Sequence, residues 1–292
     1  MSTDDRLRQV TAGERILGIW LVIISAIFYS MAGVFTKGMS ADAWSIIFWR
    51  GIFAAICGIA YLLVIGRLRD EMRGVSIPAI ALSLIYAAGT AAFIPAFKLT
   101  SIANVALIWS AAPVLAGALG WWLFGQRMTA GFLIACASVL AGTAVIVYGS
   151  FGGSGLIGDL LALWMTLMMV LMMIIYRRSP DTPVTLPSVG ACLLLIPVCL
   201  YLTDPIAVAP DEILLAALFG VTFMIASITL ARGSKYVSPS ETALLSISET
   251  PWAILLAGFI LAEWPSPLTV FGGTVIMAAV LWYQVTALRQ GM

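Results

Sequence analysis

Residues 99–127 read LTSIANVALIWSAAPVLAGALGWWLFGQR, and residues 237–263 read VSPSETALLSISETPWAILLAGFILAE. At an offset of 138 residues, five positions coincide: Leu107 with Leu245, Ser110 with Ser248, Pro113 with Pro251, Gly120 with Gly258 and Leu123 with Leu261. Each stretch lies within a long apolar run, and the offset carries the fourth such run of the chain onto the ninth. The first half of the sequence thereby maps onto the second, with five runs in each. An odd number of membrane crossings per half makes the second half insert upside down relative to the first.

Working outward from these two stretches, the apolar runs fall at about 17–36, 43–65, 76–97, 102–124, 129–149, 156–176, 186–203, 211–231, 238–261 and 267–288. Polar interruptions separate them, among them GRLRDEMRG at 66–74 and RRSPDTP at 177–183. The short connections KLTS (98–101) and GQRMT (125–129) make their flanking helices antiparallel neighbours. A spanning helix needs about 20 apolar residues. Barrel strands would be about 10 residues long and alternating, unlike these continuous runs rich in Ala, Leu and Met. The fold class expected is an all-α integral membrane protein of ten transmembrane helices in two inverted five-helix repeats. The divisions are a tail at 1–16, a first repeat at 17–149, a linker at 150–155, a second repeat at 156–288 and a C-terminus at 289–292.

Composition agrees. Of the 292 residues, 62% are hydrophobic and 10% charged, and the mean hydropathy is +1.06. A soluble domain carries about 25% charge, so this chain cannot clothe a water-facing surface. The runs leave no stretch for a separate nucleotide-hydrolysing domain. A net charge of +1 gives no support for nucleic-acid binding. There is no histidine, which removes His-based metal sites and Ser-His hydrolysis. The four cysteines, Cys57, Cys136, Cys192 and Cys199, all sit in apolar runs without metal-ligand spacing. Neither a metal nor a cofactor is expected. The first run lacks a cleavage site and reads as a retained span.

Lys and Arg set the orientation. With the N-terminus cytoplasmic, twelve fall inside (Arg6, Arg8, Arg15, Arg67, Arg69, Arg73, Arg127, Arg177, Arg178, Arg232, Lys235 and Arg289) and two outside, Lys37 and Lys98. The expectation is a multi-pass protein of the cell inner membrane with both termini cytoplasmic.

These features resemble the drug/metabolite transporter superfamily, EamA type. The paired pattern runs from Ser110-Ala-Ala-Pro113 to Gly125-Gln126, and from Glu249-Thr-Pro251 to Ala262-Glu263. The likeness covers nearly the whole chain and, in overall look, is nearest to the YddG-type exporters of aromatic amino acids. It departs at Gln126, where the family often carries Glu, so that position takes no charge-based role. The resemblance implies a central cavity lined by spans one, three, four, six, eight and nine, with spans five and ten outside, and it implies export.

Candidate site residues come from helix faces. On span nine, Thr242, Ser246, Glu249, Thr250 and Ala253 follow helical spacing along one face. A carboxylate in mid-bilayer is costly and faces a cavity or a partner. Glu249 is therefore the candidate to bind a substrate ammonium or a coupling proton, or else is a buried structural group. Its repeat counterpart is Ala111, so any chemistry there is asymmetric. Arg50, inside span two, can pair with Glu249, bind a substrate carboxylate or snorkel outward, the paired and snorkelling readings weighing more. Tyr29 and Tyr86 lean inward because a hydroxyl seeks a partner, and Tyr86 shares its face with Thr90 and Phe93. Trp109, Trp164 and Trp252 lie deep and either line the cavity, face lipid or pack between helices. Met168 on span six, and Ile225 and Thr229 on span eight, are further lining candidates. Asn104 reaches the cavity or bridges helices. Pro113 and Pro251, each mid-span, free the carbonyls of Trp109 and Ile247 and are candidate hinges.

The expected function is secondary transport of small organic solutes by alternating access, most readily export of aromatic or other apolar amino acids. The partners are a small-molecule substrate, the lipid bilayer and, through Glu249, a coupling proton. The alternatives are an uncoupled, channel-like facilitator for small metabolites, or an exporter of other drugs or metabolites. An intramembrane enzyme lacks any catalytic constellation, so no enzymatic activity is expected.

Overall fold

The computed structural model describes residues 12–112, 114–115, 118–119, 122, 130–149, 155–179, 181–233, 236, 245–246 and 248–289, and the regular structure among them is helical throughout. The helices are α1 (Ala12–Ser30), α2 (Ala32–Gly38), α3 (Ala43–Val64), α4 (Leu68–Arg73), α5 (Ile77–Leu99) and α6 (Ile102–Trp109). They continue with α7 (Ala130–Gly149), α8 (Gly155–Arg178), α9 (Thr185–Leu202), α10 (Pro210–Gly233), α11 (Glu249–Leu261) and α12 (Pro267–Arg289). Among the described residues, six helical segments are long and apolar enough to cross a membrane: Gly13–Gly38, Ala43–Val64, Ile77–Leu99, Gly155–Tyr176, Thr185–Leu202 and Pro210–Gly233. Leu133–Gly149, Glu249–Leu261 and Pro267–Tyr283 are shorter apolar helices. The fourth and ninth predicted runs are thus represented by α6 and α11. Much of 113–129, together with Pro113, and all of 237–244, with Thr242, lie outside the described residues.

Local chemistry explains the breaks. Between α1 and α2, the Ser30 hydroxyl donates to the Ile27 carbonyl at 2.7 Å. The Met31 amide reaches three residues back, to Phe28 (3.3 Å). Serine competing for a carbonyl of its own helix tightens the turn in this way. After α6, the Ala111 amide likewise bonds three residues back, to Ile108 (3.1 Å), just before Pro113. In α11, Pro251 falls in the first turn rather than in mid-helix. Its missing N–H costs nothing there, because the first-turn amides have no intrahelical partner.

Several helix ends and one interhelix loop are finished by carboxylates, one of them local and three from elsewhere in the chain. Asp42 is a local N-cap of α3, accepting from the Trp44 and Ser45 amides at 2.8 and 3.1 Å. Glu71 on α4 accepts from the Thr185 and Leu186 amides at 3.1 and 2.9 Å, which caps α9. Glu212 at the start of α10 accepts from the Ser40 and Ala41 amides at 2.6 and 2.9 Å, in the loop between α2 and α3. Glu263 accepts from the Ile102 amide at 2.7 Å, at the start of α6. It is held there by Ala262, whose positive φ of 54° ends α11, with the Glu263 amide reaching back to Ala257 (3.1 Å). A negative charge at a helix N-terminus satisfies free amides and opposes the dipole favourably.

The packing is extensive. Helix α5 lies on α8, α1 on α10, α3 on α9 and α10, α9 on α5, and α6 on α11 and α8. Helix α7 lies chiefly against α12, which also touches α6. Glycines set the closest crossings. A Cβ on Gly220 would come within 2.7 Å of the Arg50 carbonyl, so α10 passes α3 backbone to backbone. Gly142 and Gly272 meet in the same fashion between α7 and α12, the small-residue contact that lets membrane helices approach. Large apolar side chains such as Leu63, Val64, Phe259 and Phe271 stay exposed on the outside, as suits a surface bathed in hydrocarbon rather than water.

Candidate functional site

Helices α1, α3, α5, α6, α8, α10 and α11 enclose one cavity, of about 900 Å³ with the open space at its mouth included. Its walls are mostly aromatic and aliphatic: Tyr29, Tyr86, Phe93, Phe97, Trp109 and Phe223 contribute rings, and Met165 and Met169 contribute thioethers. Polar groups are few: Ser25, Ser30, Thr90 and Ser246, together with two charged residues, Arg50 and Glu249.

The rings are held by one another and by hydrogen bonds. Tyr29 meets Phe223 edge to face, at 6.1 Å between centroids, and its hydroxyl shares a 2.8 Å hydrogen bond with Ser227 on α10. Phe93 and Phe97 are edge to face at 4.9 Å. The Tyr176 hydroxyl on α8 donates to the Pro183 carbonyl at 3.3 Å.

Of the residues singled out from sequence, Tyr29, Arg50, Tyr86, Thr90, Phe93, Trp109, Ser246, Glu249 and Ala253 are brought together on this cavity. The others are placed elsewhere. Trp164 and Trp252 point outward, 49% and 50% exposed. Thr229 satisfies its hydroxyl on the Ile225 carbonyl of its own helix, at 2.8 Å, and neither it nor Ile225 lines the cavity. Met168 is buried against Gly89. Thr250 is buried and shares a 2.6 Å hydrogen bond with Ser110, tying α11 to the turn after α6.

Asn104 is a bridge. Its amide donates to the carboxylate oxygens of Asp159 on α8 at 3.1 and 3.3 Å. Thr269 of α12 donates to its carbonyl at 2.8 Å, and Thr100 donates to Asp159 at 2.6 Å. Asp159 is fully buried. The sequence reading passed over Asp159, although it is the lone acidic residue of its apolar run.

Arg50 is the other residue the sequence reading under-weighted. It is 1% exposed. Its guanidinium lies over the ring of Phe223, at 4.3 Å, and that of Phe219, at 5.2 Å. It neither snorkels to the surface nor forms an ion pair with Glu249, and its Nε and Nη1 have no hydrogen-bond partner among the described residues. Phe219 and Phe223, four apart on α10, were the available signal for this platform.

With this geometry in place, comparison with known proteins gives a match to one family model over part of the chain. Residues 16–148 match the EamA-like transporter family. This EamA-like segment runs from α1 through α7 and contributes Tyr29, Arg50, Tyr86, Thr90, Phe93 and Trp109 to the cavity, whereas Ser246 and Glu249 lie beyond it. The match does not single out the YddG-type exporters. A solved structure titled "Crystal structure of protein" is 17% identical and superimposes with a TM-score of 0.69 over 94% of this chain and 98% of its own, so the two share a fold. No curated protein matches the chain. Residues 16–148 thus resemble the EamA-like transporter family, and the described residues hold six helices long and apolar enough to cross a membrane.

Proposed function

We propose that the protein is a membrane transporter of small organic solutes, built as ten spans in two inverted five-helix repeats and working by alternating access. The observation that carries this reading is the cavity. It is enclosed by helices from both halves of the chain and walled by rings, with a few polar groups among them. Such a site, at the junction of two halves, is where repeat-built transporters hold their substrate.

The helix packing supports the repeat. Count α1 with α2 as the first span, then α3, α5, α6 and α7, and let α8 to α12 be their counterparts. Helix α5 packs on α8 as α10 packs on α1, α3 on α10 as α9 on α5, and α6 on α8 as α11 on α1. The pairs α3–α9, α6–α11 and α7–α12 each join a helix to its own counterpart. The repeats are then 17–149 and 156–288, joined by 150–155 and flanked by tails at 1–16 and 289–292. Lys and Arg placement favours cytoplasmic termini in an inner membrane. The aromatic walls favour flat apolar substrates, with aromatic or other apolar amino acids first and a YddG-type export direction by resemblance. Pro113 and Pro251 are the hinge candidates of the two repeats, and Glu249 is the candidate carrier of a coupling proton.

The test is purified protein in liposomes with a panel of radiolabelled amino acids. Saturable exchange of the aromatic or apolar members is the expected result. Folded protein that moves no member of the panel overturns the reading. Saturable flux indifferent to an imposed pH gradient assigns a facilitator and removes the proton from Glu249.

A further inference from the structure

The helix α1 is interrupted at the point where it leaves the cavity. Ser30, its last residue, lines the chamber. There the Met31 amide bonds three residues back and the Ser30 hydroxyl takes the Ile27 carbonyl. A tightened step of this kind inside a long helix marks a place where it bends. The surroundings change across it. Ile16, Leu17, Trp20, Ile24 and Ile27 of α1 are exposed, whereas Ala32 and Thr36 of α2 are 3% and 0% exposed.

What buries α2 is the end of the chamber. It packs on α5, α10 and α11, three of the helices that wall the cavity. A Cβ on Gly33 would come within 3.0 Å of the Phe97 ring, a wall residue, and within 2.9 Å of Ile102. Phe35 stacks on Phe219, with 5.4 Å between centroids. The far end of α2 is then fastened by groups from both halves of the chain. Lys37 donates to Glu263 at 2.6 Å. Glu212 accepts from the Ser40 and Ala41 amides at 2.6 and 2.9 Å, and Lys98 donates to the Met39 carbonyl. These contacts lie at the rim, where water competes with each of them. They hold as a set and are weak enough singly to release.

We propose that α2 and the loop at 39–42 form a lid over this end of the cavity, bending at Ser30–Met31 and latched by Glu212 and Glu263. The proposal rests on the transport reading above for the purpose of the motion, but the motion itself is measured without transport. On release, the face of α2 that carries Ala32 and Thr36 lifts from Phe97, Ile102 and Phe219, and the chamber opens between Ser30 and Phe97.

The test is the rate at which a polar maleimide labels a cysteine on the buried face of α2, in purified full-length protein whose four native cysteines are replaced by alanine. Thr36→Cys is the reporter, and Ala54→Cys, at a position on α3 that is also 0% exposed, is the control. A buried thiol is labelled only when its surroundings open, so its rate reports the opening equilibrium. With the latch intact, Thr36→Cys is labelled at least about tenfold faster than Ala54→Cys, because a lid opens locally and a bundle does not. Glu212→Ala combined with Glu263→Ala raises labelling of Thr36→Cys at least about tenfold further, as the loss of hydrogen bonds to two carboxylates implies. The same pair leaves Ala54→Cys within about twofold, and Lys37→Gln alone, which removes one screened partner, leaves Thr36→Cys within about twofold. Should the double variant fail to give monodisperse protein, the comparison of the two reporters with the latch intact decides.

Equal labelling of the two reporters with the latch intact overturns the lid. So does a double variant that speeds both reporters alike, which is general loosening, or one that speeds neither. Phenylalanine exchange in liposomes separates the lid from the transport reading. Lys37→Cys joined to Glu263→Cys by a short bis-maleimide is expected to lose exchange, while each single cysteine treated in the same way keeps most of it. A joined pair that exchanges at the rate of the single variants overturns the lid. A wild type that exchanges no amino acid removes the transporter, and the labelling rates alone then decide the lid.

Discussion

At the rim of the bundle Lys37 and Glu263 stand 2.6 Å apart, their side chains 23% and 24% exposed. In the cavity Arg50 and Glu249 share one chamber and are not joined. The rim pair costs little to form or lose, because water screens both charges. It fixes geometry: Glu263 spans Lys37 on α2 and the first amide of α6. The cavity pair lies where water is scarce and each charge is expensive to hold alone. A fold that keeps two opposite charges apart in such a place keeps them free for something else. The joined pair ties α2 to α6, and the cavity pair ties no helices to each other.

The comparison breaks most visibly through flux. Arg50→Gln and Glu249→Gln are each expected to lower exchange of phenylalanine in liposomes by at least about tenfold, with Lys37→Gln staying within about twofold of the wild type, as a screened pair implies. Equal losses at rim and cavity would erase the distinction.

The Asn104–Asp159 bridge sharpens it from another direction, being a buried carboxylate whose partners are all in place. Asn104→Ala removes a donor from Asp159 and an acceptor from Thr269, at a cost of about 1–3 kcal/mol, while phenylalanine exchange stays close to the wild type. Thermal unfolding in detergent beside the liposome assay checks both halves of that statement. A changed exchange would make this bridge part of the transport chemistry.

A smaller effect is expected of Glu263→Gln: about 0.2–1 kcal/mol, shrinking in high salt. An effect of several kcal/mol that ignores salt would put the rim pair in the buried class.

The smallest effect concerns Asp42, in the loop before α3. Burial pushes its carboxyl up, but hydrogen bonds from Ser45, Thr203 and Trp44 outweigh this and hold it below the usual carboxylate range. A depressed value stabilises the folded state above the unfolded carboxylate pKa, and the gain is lost as pH falls through the folded value. Asp42→Asn keeps a capping side chain but not the charge. The variant should therefore trail the wild type slightly at neutral pH and meet it in acid. A gap that widens on acidification contradicts the assignment.

Six of the predicted runs were legible as helices long enough to cross a membrane, because hydrocarbon demands unbroken apolar runs, and Asp42 and Gly66 mark where the second of them starts and stops. Tyr29, Tyr86 and Glu249 were legible as well, since a hydroxyl or carboxylate inside such a run must turn toward something polar. Which way an indole turns was not. In a membrane both faces of a helix are apolar, so nothing in the runs around Trp164 or Trp252 tells core from lipid. A threonine stripe misleads for a related reason: Thr229 needs no cavity, because a carbonyl of its own helix suffices. Arg50 was visible as a lone cation in a 22-residue helix. That it would stay unpaired depends on how α3, α10 and α11 are arranged in three dimensions, which no local pattern encodes.

The borrowed caps carry a consequence for biosynthesis. Thr185 and Leu186 at the start of α9 are received by Glu71, made 114 and 115 residues earlier. Ser40 and Ala41 must wait for Glu212, 172 and 171 residues later, and Ile102 waits 161 residues for Glu263. As the chain leaves the ribosome, its second half finds one of these receptors already waiting, while its first half remains unfinished at two points until the last spans arrive. A fragment ending at residue 149 would enter the bilayer with those three amides unclaimed, so the two halves mature together even though they are made in sequence.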